Sequence, residues 1–207
     1  MTEENKNKFG KNFLRAAAFS LAGLFVLIMG FSALEPAVSD AAQTTDSVVV
    51  NLNVLATISL NTPSDVTMAP DITGTGSSTG STTWTVTTNN SAGWKLEVNT
   101  DQASTMHSGS DVFADYSETA DGTPEAWLVA PSAAEFGFGA TGSYVETKFG
   151  VDKYMGFNST TKEQVSHNSA ETAGDSTTVT FKAEVGSSKL QPTGAYASTV
   201  TATATTL

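Results

Sequence analysis

His107 and His167 are the only imidazoles in this 207-residue chain, so any Ser-His-Asp triad would have to use one of them. His107-Ser108-Gly109-Ser110-Asp111 brings the three residue types together in sequence. Neighbours on one short loop seldom converge on a single reacting atom, and no nucleophile-elbow motif accompanies them. Hydrolysis is therefore not expected, and the chain reads as a non-enzyme. Asp111, Asp115, Asp121 and Glu125 offer hard oxygen ligands of the kind calcium takes. They lack the tight D-x-D-x-D-G spacing of a calcium loop, so solvated loop charges are the expectation and no metal or cofactor is assigned. Trp127, Tyr144, Tyr154 and Phe157 lie in an irregular stretch where binding loops sit, and aromatic faces of this kind stack on sugar rings.

The chain has no cysteine. That excludes disulfides, thiolate metal sites, a Cys nucleophile and the lipid-modified Cys of a lipoprotein. It leaves room for a Lys–Asn isopeptide staple with Lys95 or Lys182 as donor. The core must otherwise hold the fold unaided, and about 166 residues suffice for one sizeable core.

Those residues need a compartment. Lys6, Lys8, Lys11 and Arg15 precede an uncharged apolar run from Ala16 to Leu34, and a short polar stretch, Glu35 to Asp40, follows. Basic, apolar and small-polar segments in that order are the pattern of a secretory signal. Ser39-Asp40-Ala41 puts small residues where a signal peptidase cuts, so cleavage is expected before Ala42. The apolar run is also close to the ~20 residues of a spanning helix, so the alternative is a retained membrane anchor. Residues 1–41 are thus a signal peptide or anchor, and residues 42–207 one domain that is secreted or held at the cell surface. No sortase-type Leu-Pro-x-Thr-Gly signal appears, so surface retention is expected to be non-covalent or through residues 16–34. Residues 1–41 carry four basic and four acidic residues, so the exported part keeps the full net charge of −11. Such acidity repels nucleic acid and anionic lipid, and its role is solubility.

Positioning falls to strands. Val48, Val50, Leu52, Val54, Ala56, Ile58 and Leu60 alternate with the residues between them, which predicts one long strand or two divided by a bend. Val66 to Met68 reads as a short return strand and residues 70–82 as a Gly/Ser/Thr-rich loop. Trp84, Val86 and Thr88 share one face of a strand, and Trp94, Leu96 and Val98 share one face of the next. Asn89 to Gly93 supplies the turn between them, because Asn and Gly tolerate positive φ, so the pair reads as a β-hairpin with its tryptophans on one face. Ala126 to Val129 and Glu135 to Phe138 read as short strands, Thr178 to Val185 as a half-buried one and Tyr196 to Thr206 as the last. Helical periodicity is missing from residues 42–207, so the fold class is all-β, an antiparallel β-sandwich after an N-terminal helix.

Gly93-Trp94-Lys95-Leu96, the near variant Trp84-Thr85-Val86 and the closing Gly194-Ala195-Tyr196 with Thr199 to Thr203 carry a resemblance. The chain resembles the WxL-type surface domains of Gram-positive bacteria and, more broadly, fimbrial and spore-coat-U-like sandwiches. The WxL resemblance implies non-covalent binding to a cell-wall polymer or surface protein, with Trp94 and Leu96 as the wall-binding residues. The second W-x-L motif is absent, its place taken by Val200-Thr201-Ala202. Alternation alone gives Trp94 and Leu96 a core role instead. The fimbrial resemblance implies self-assembly, in which the N-terminal strand Val48 to Leu60 completes the sheet of a neighbour; otherwise that strand is simply the first of its own sandwich. The expected function is a non-enzymatic surface protein with a structural or adhesive role. The alternatives are a filament subunit joined by strand addition, or a secreted carbohydrate-binding module.

Overall fold

A computed structural model describes residues 42–102, 106–157 and 160–207; residues 1–41, expected to be a signal peptide or anchor, lie outside them. The chain divides into two units, Met1–Leu52 and Asn53–Leu207. In the first, residues 42–52 are exposed and belong to no helix or strand. The second carries eleven strands, and no helix occurs among the described residues. They are β1 (Ile58–Leu60), β2 (Gly76–Thr88), β3 (Trp94–Thr100), β4 (Met106–Ser108), β5 (Asp111–Asp115), β6 (Glu125–Ala126), β7 (Ala134–Gly142), β8 (Lys153–Tyr154), β9 (Glu163–Asn168), β10 (Thr172–Val185) and β11 (Val200–Thr206).

Two sheets share the core. One runs β1-β2-β10-β7-β5-β4 and the other β11-β3-β9, while β6 and β8 form a small ribbon. Pairing is antiparallel except between β5 and β7, so the all-β antiparallel fold is as expected. Alternation decides which side chains enter. Trp84, Val86 and Thr88 from β2 are buried, as are Trp94, Leu96, Val98 and Thr100 from β3 and Val179, Phe181, Ala183 and Val185 from β10. Phe157 lies among the rings of β7 and β10, 4.3 Å from Phe138 and 6.3 Å from Phe181. Each large apolar side chain buried this way contributes about 1.5–3 kcal/mol. A buried polar link joins Ser166 and Thr177, whose hydroxyls lie 2.8 Å apart.

The turn at Asn89 to Gly93 forms, but β2 and β3 do not make the expected hairpin: the turn carries the chain from one sheet to the other, where β2 pairs with β1 and β10 and β3 pairs with β9 and β11. Gly93 turns at φ +100°, and a Cβ there would stand 1.9 Å from the Asn168 carbonyl oxygen. Other readings change as well. The Gly/Ser/Thr stretch 76–82 is the first half of β2 and not a loop, because it pairs in register with Val179 to Val185 of β10. Val66 and Met68 pack on the core without forming a strand. Of the alternating run Val48 to Leu60, only Ile58–Leu60 is a strand. Residues 48–57 belong to no strand among the described residues.

Candidate functional site

The run that belongs to no strand is the most conspicuous apolar surface among the described residues. Val48, Val49, Val50, Leu52, Val54 and Leu55 are all 77–88% exposed. Contiguous apolar exposure of this sort marks an interaction surface, whereas isolated exposed leucines do not. Its root is fixed. β1 pairs with the last residues of β2, Ile58 opposite Thr88 and Leu60 opposite Val86. Asn89 then clamps the chain just ahead of β1. Its Oδ1 accepts from the Thr57 amide at 2.7 Å, and its Nδ2 donates to the Leu55 carbonyl at 3.0 Å. Thr88 Oγ1 adds a bond to the Thr57 carbonyl at 2.6 Å.

The sheet edges differ in how they are finished. β4 is closed by Ala197, which exchanges two backbone bonds with His107 at 2.9 and 3.0 Å. β9 is covered by the 144–146 segment, through bonds of Glu146 to Val165 and of His167 to Tyr144. β11 pairs only with β3, and no described strand lies hydrogen-bonded on its other side. The Leu207 amide donates to Gly93 and the Asp101 amide to Thr199, so odd-numbered residues of this strand face β3. By antiparallel alternation the backbone groups of Val200, Ala202, Ala204 and Thr206 face outward. Their side chains, with Ile58 and Leu60, are only partly buried although they pack on the core. Sequence reading missed both the Asn89 clamp and this edge. The signal that could have found the edge is charge, since no charged residue occurs from Leu190 to Leu207 or from Ser47 to Ser64.

The residues singled out for chemistry are dispersed or already engaged. In the β4–β5 hairpin His107 opposes Val112 and Ser108 opposes Asp111, so the His and Ser side chains leave opposite faces. His167 Nδ1 bonds Glu146, which also accepts from Gln164 at 2.6 Å. Burial pushes the Glu146 carboxyl up, but these two bonds and the His167 and Lys148 charges outweigh it and hold its pKa below the usual value. Asp111 and Asp115 sit at opposite ends of β5, roughly 13 Å apart at ordinary strand rise. Among the described residues no group of three or more His, Asp or Glu is arranged to hold a metal ion.

Asp115, Glu118, Asp121 and Glu163 do line one concavity. Two of these carboxylates accept backbone amides, and Glu163 pairs with Lys148. Glu118 accepts from Gly122 at 2.9 Å and from Gly156 at 3.1 Å, and Asp115 accepts from Phe157 at 2.6 Å. Burial raises the Asp115 pKa to about 7; the Phe157 amide opposes the rise, and the Glu118 and Glu135 charges add to it.

Trp94 and Leu96 are fully buried, which is the core role alternation gave them. A wall polymer would meet other residues first. Of the candidate sugar-stacking rings, Phe157 is buried and Tyr144 packs edge-on to Trp94 at 6.5 Å. Trp127 stacks on Tyr116 at 4.3 Å and donates its indole N–H to Glu184 at 2.8 Å. Lys182 Nζ lies 5.3 Å from both the Trp127 and Tyr154 rings, and Lys95 pairs with Glu97 at 2.9 Å. Both amines raised as isopeptide donors thus have other partners. No family model matches this chain, and no curated protein matches it.

Proposed function

We propose that this chain is an exported, non-enzymatic cell-surface protein with a structural role, acting as a subunit that assembles through its N-terminal segment. The observation that carries the reading is the apolar run Val48 to Leu55, exposed and in no strand among the described residues. Exposed strand-forming segments of this kind pair with the open edge of another sheet, the main chain giving affinity and alternate side chains giving specificity. The secretory pattern of residues 1–41 supports a surface setting. Wall binding is the competing reading, and the burial of Trp94 and Leu96 favours assembly over it.

Sedimentation of purified protein with residues 43–55 deleted tests the proposal. The full protein is expected to form large species that the deletion lacks, while circular dichroism shows the same strand content in both. A triple variant, Val50→Ser, Leu52→Ser and Val54→Ser, removes the apolar face without shortening the chain and should behave like the deletion. Equal assembly in all three proteins would overturn the reading. Retention on purified peptidoglycan by the deletion variant would support wall binding in its place.

A further inference from the structure

We infer that the side-chain amide of Asn89 is the positioning group of the assembly segment, standing in for a peptide that β2 no longer supplies and fixing which face of the chain ahead of β1 is the apolar one. The inference rests on the assembly reading and names a residue on which its geometry depends.

β1 is short, with Ile58, Ser59 and Leu60 opposite Thr88, Thr87 and Val86. An asparagine extends its pairing at each end. Past Leu60, the Asn61 amide donates to the Thr85 carbonyl at 3.2 Å, but the Thr85 amide donates to Asn61 Oδ1 and not to the backbone. Asn61 Nδ2 then donates to the Thr83 carbonyl at 3.3 Å. Ahead of Ile58 the roles reverse. Asn89 Oδ1 accepts the Thr57 amide at 2.7 Å, and Nδ2 donates to the Leu55 carbonyl at 3.0 Å. A carboxamide offers the same C=O and N–H as a peptide. Every second residue of an antiparallel strand bonds its partner, and Leu55 and Thr57 continue the phase of Ser59 and Asn61.

Thr57 is held at every polar group. Asn89 Oδ1 also accepts its hydroxyl at 3.3 Å, and Thr88 Oγ1 donates to its carbonyl at 2.6 Å. The support is itself tied down. Thr88 is buried, and its Oγ1 accepts the Asn90 amide at 3.1 Å. Asn90 Nδ2 donates to the carbonyls of Gly93 at 2.9 Å and Leu207 at 3.0 Å. By contrast Val54 and Leu55 are 77% and 79% exposed, so packing does not hold them.

The phase matters because strand side chains alternate, and a slip of one residue turns every one of them to the other face. Ile58 and Leu60 pack on the core. With Leu55 and Thr57 bonded toward β2, Ala56 and Val54 share the phase of Ile58 and Leu60. The alternation of the sequence adds Leu52, Val50 and Val48 to that set. Without Asn89 the chain turns freely ahead of Ile58, and Asn51 and Asn53 compete for the place of the apolar face.

Two variants remove matched carboxamides from the two ends of β1. Asn89 is not among the positive-φ residues, so Asn89→Ala introduces no backbone strain. Asn61→Ala deletes the equivalent bonds at the end remote from the segment. At high dilution, exchange of the Thr57 amide should quicken roughly tenfold or more in Asn89→Ala and stay unchanged in Asn61→Ala. The assembled fraction in sedimentation should fall by a similar factor with Asn89→Ala and stay near that of the unaltered protein with Asn61→Ala. Circular dichroism should show the same strand content in all three proteins. Equal loss of assembly in both variants would mean that the bonds only secure β1. Full assembly with Asn89→Ala would mean that the segment needs no positioning. Either result overturns the inference and leaves the assembly reading standing. Unchanged Thr57 exchange in Asn89→Ala overturns the inference from the monomer alone. An unaltered protein that stays monomeric at every concentration overturns the assembly reading, and the part of Asn89 in it.

Discussion

Replacing Asp115 by Asn should stabilise the protein at pH 8 and leave its stability at pH 4 nearly unchanged. Asp115 is half-buried at the end of β5, and its Oδ1 accepts the Phe157 amide that seats this ring between Phe136 and Phe138. Burial raises its pKa from 3.8 to about 7. The folded protein therefore holds this proton more tightly than the unfolded chain does. The stability linked to it is fully present below about pH 4 and is lost as pH rises to about 7. A shift of that size corresponds to at most about 4 kcal/mol. Solvent reaches the carboxyl, and screening reduces the expected loss to ~1–2 kcal/mol. Asn keeps an oxygen for the Phe157 amide and cannot ionise. At ~2–4 °C per kcal/mol for a domain of this size, its Tm should exceed the wild type by about 2–8 °C at pH 8. Scanning calorimetry on both proteins from pH 4 to pH 8 measures the difference. Glu135, also raised by burial and then by Glu184, contributes to both profiles and largely cancels. A Tm difference that does not change with pH, or a variant less stable at pH 8, would refute the reasoning.

Three further outcomes follow from the packing. Trp94→Ala removes a fully buried ring and should cost ~3–5 kcal/mol in urea unfolding, so any loss of wall binding by that variant needs a stability control. Gly93→Ala puts a Cβ against the Asn168 carbonyl at φ +100° and should cost at least ~1–3 kcal/mol, read as a lower thermal midpoint. Glu146→Gln should flatten the acid limb of the stability profile. Hydrogen bonds hold that carboxyl's pKa down, so its contribution is present above the ordinary carboxylate range and lost as pH falls through the lowered value.

Much of the fold was legible because two strands announce themselves. Trp84, Val86 and Thr88 and then Trp94, Leu96 and Val98 alternate cleanly around an Asn/Gly turn, and all six are buried. β9 was not legible: Glu163 to Asn168 holds one aliphatic residue, Val165, and its strand character comes from pairing with β3. The same holds for Gly76 to Thr82, whose Gly, Ser and Thr acquire strand geometry from the β10 ladder and not from their own preferences. Val48 to Leu55 is the reverse case. Alternation states that one face is built for burial, but it cannot say which molecule supplies the cover.

The most direct test of that cover is backbone hydrogen exchange at residues 48–55 in purified protein, followed against protein concentration. Strand addition predicts fast exchange at high dilution and protection that rises with concentration. Exchange at 48–55 that stays fast at every concentration would contradict the account.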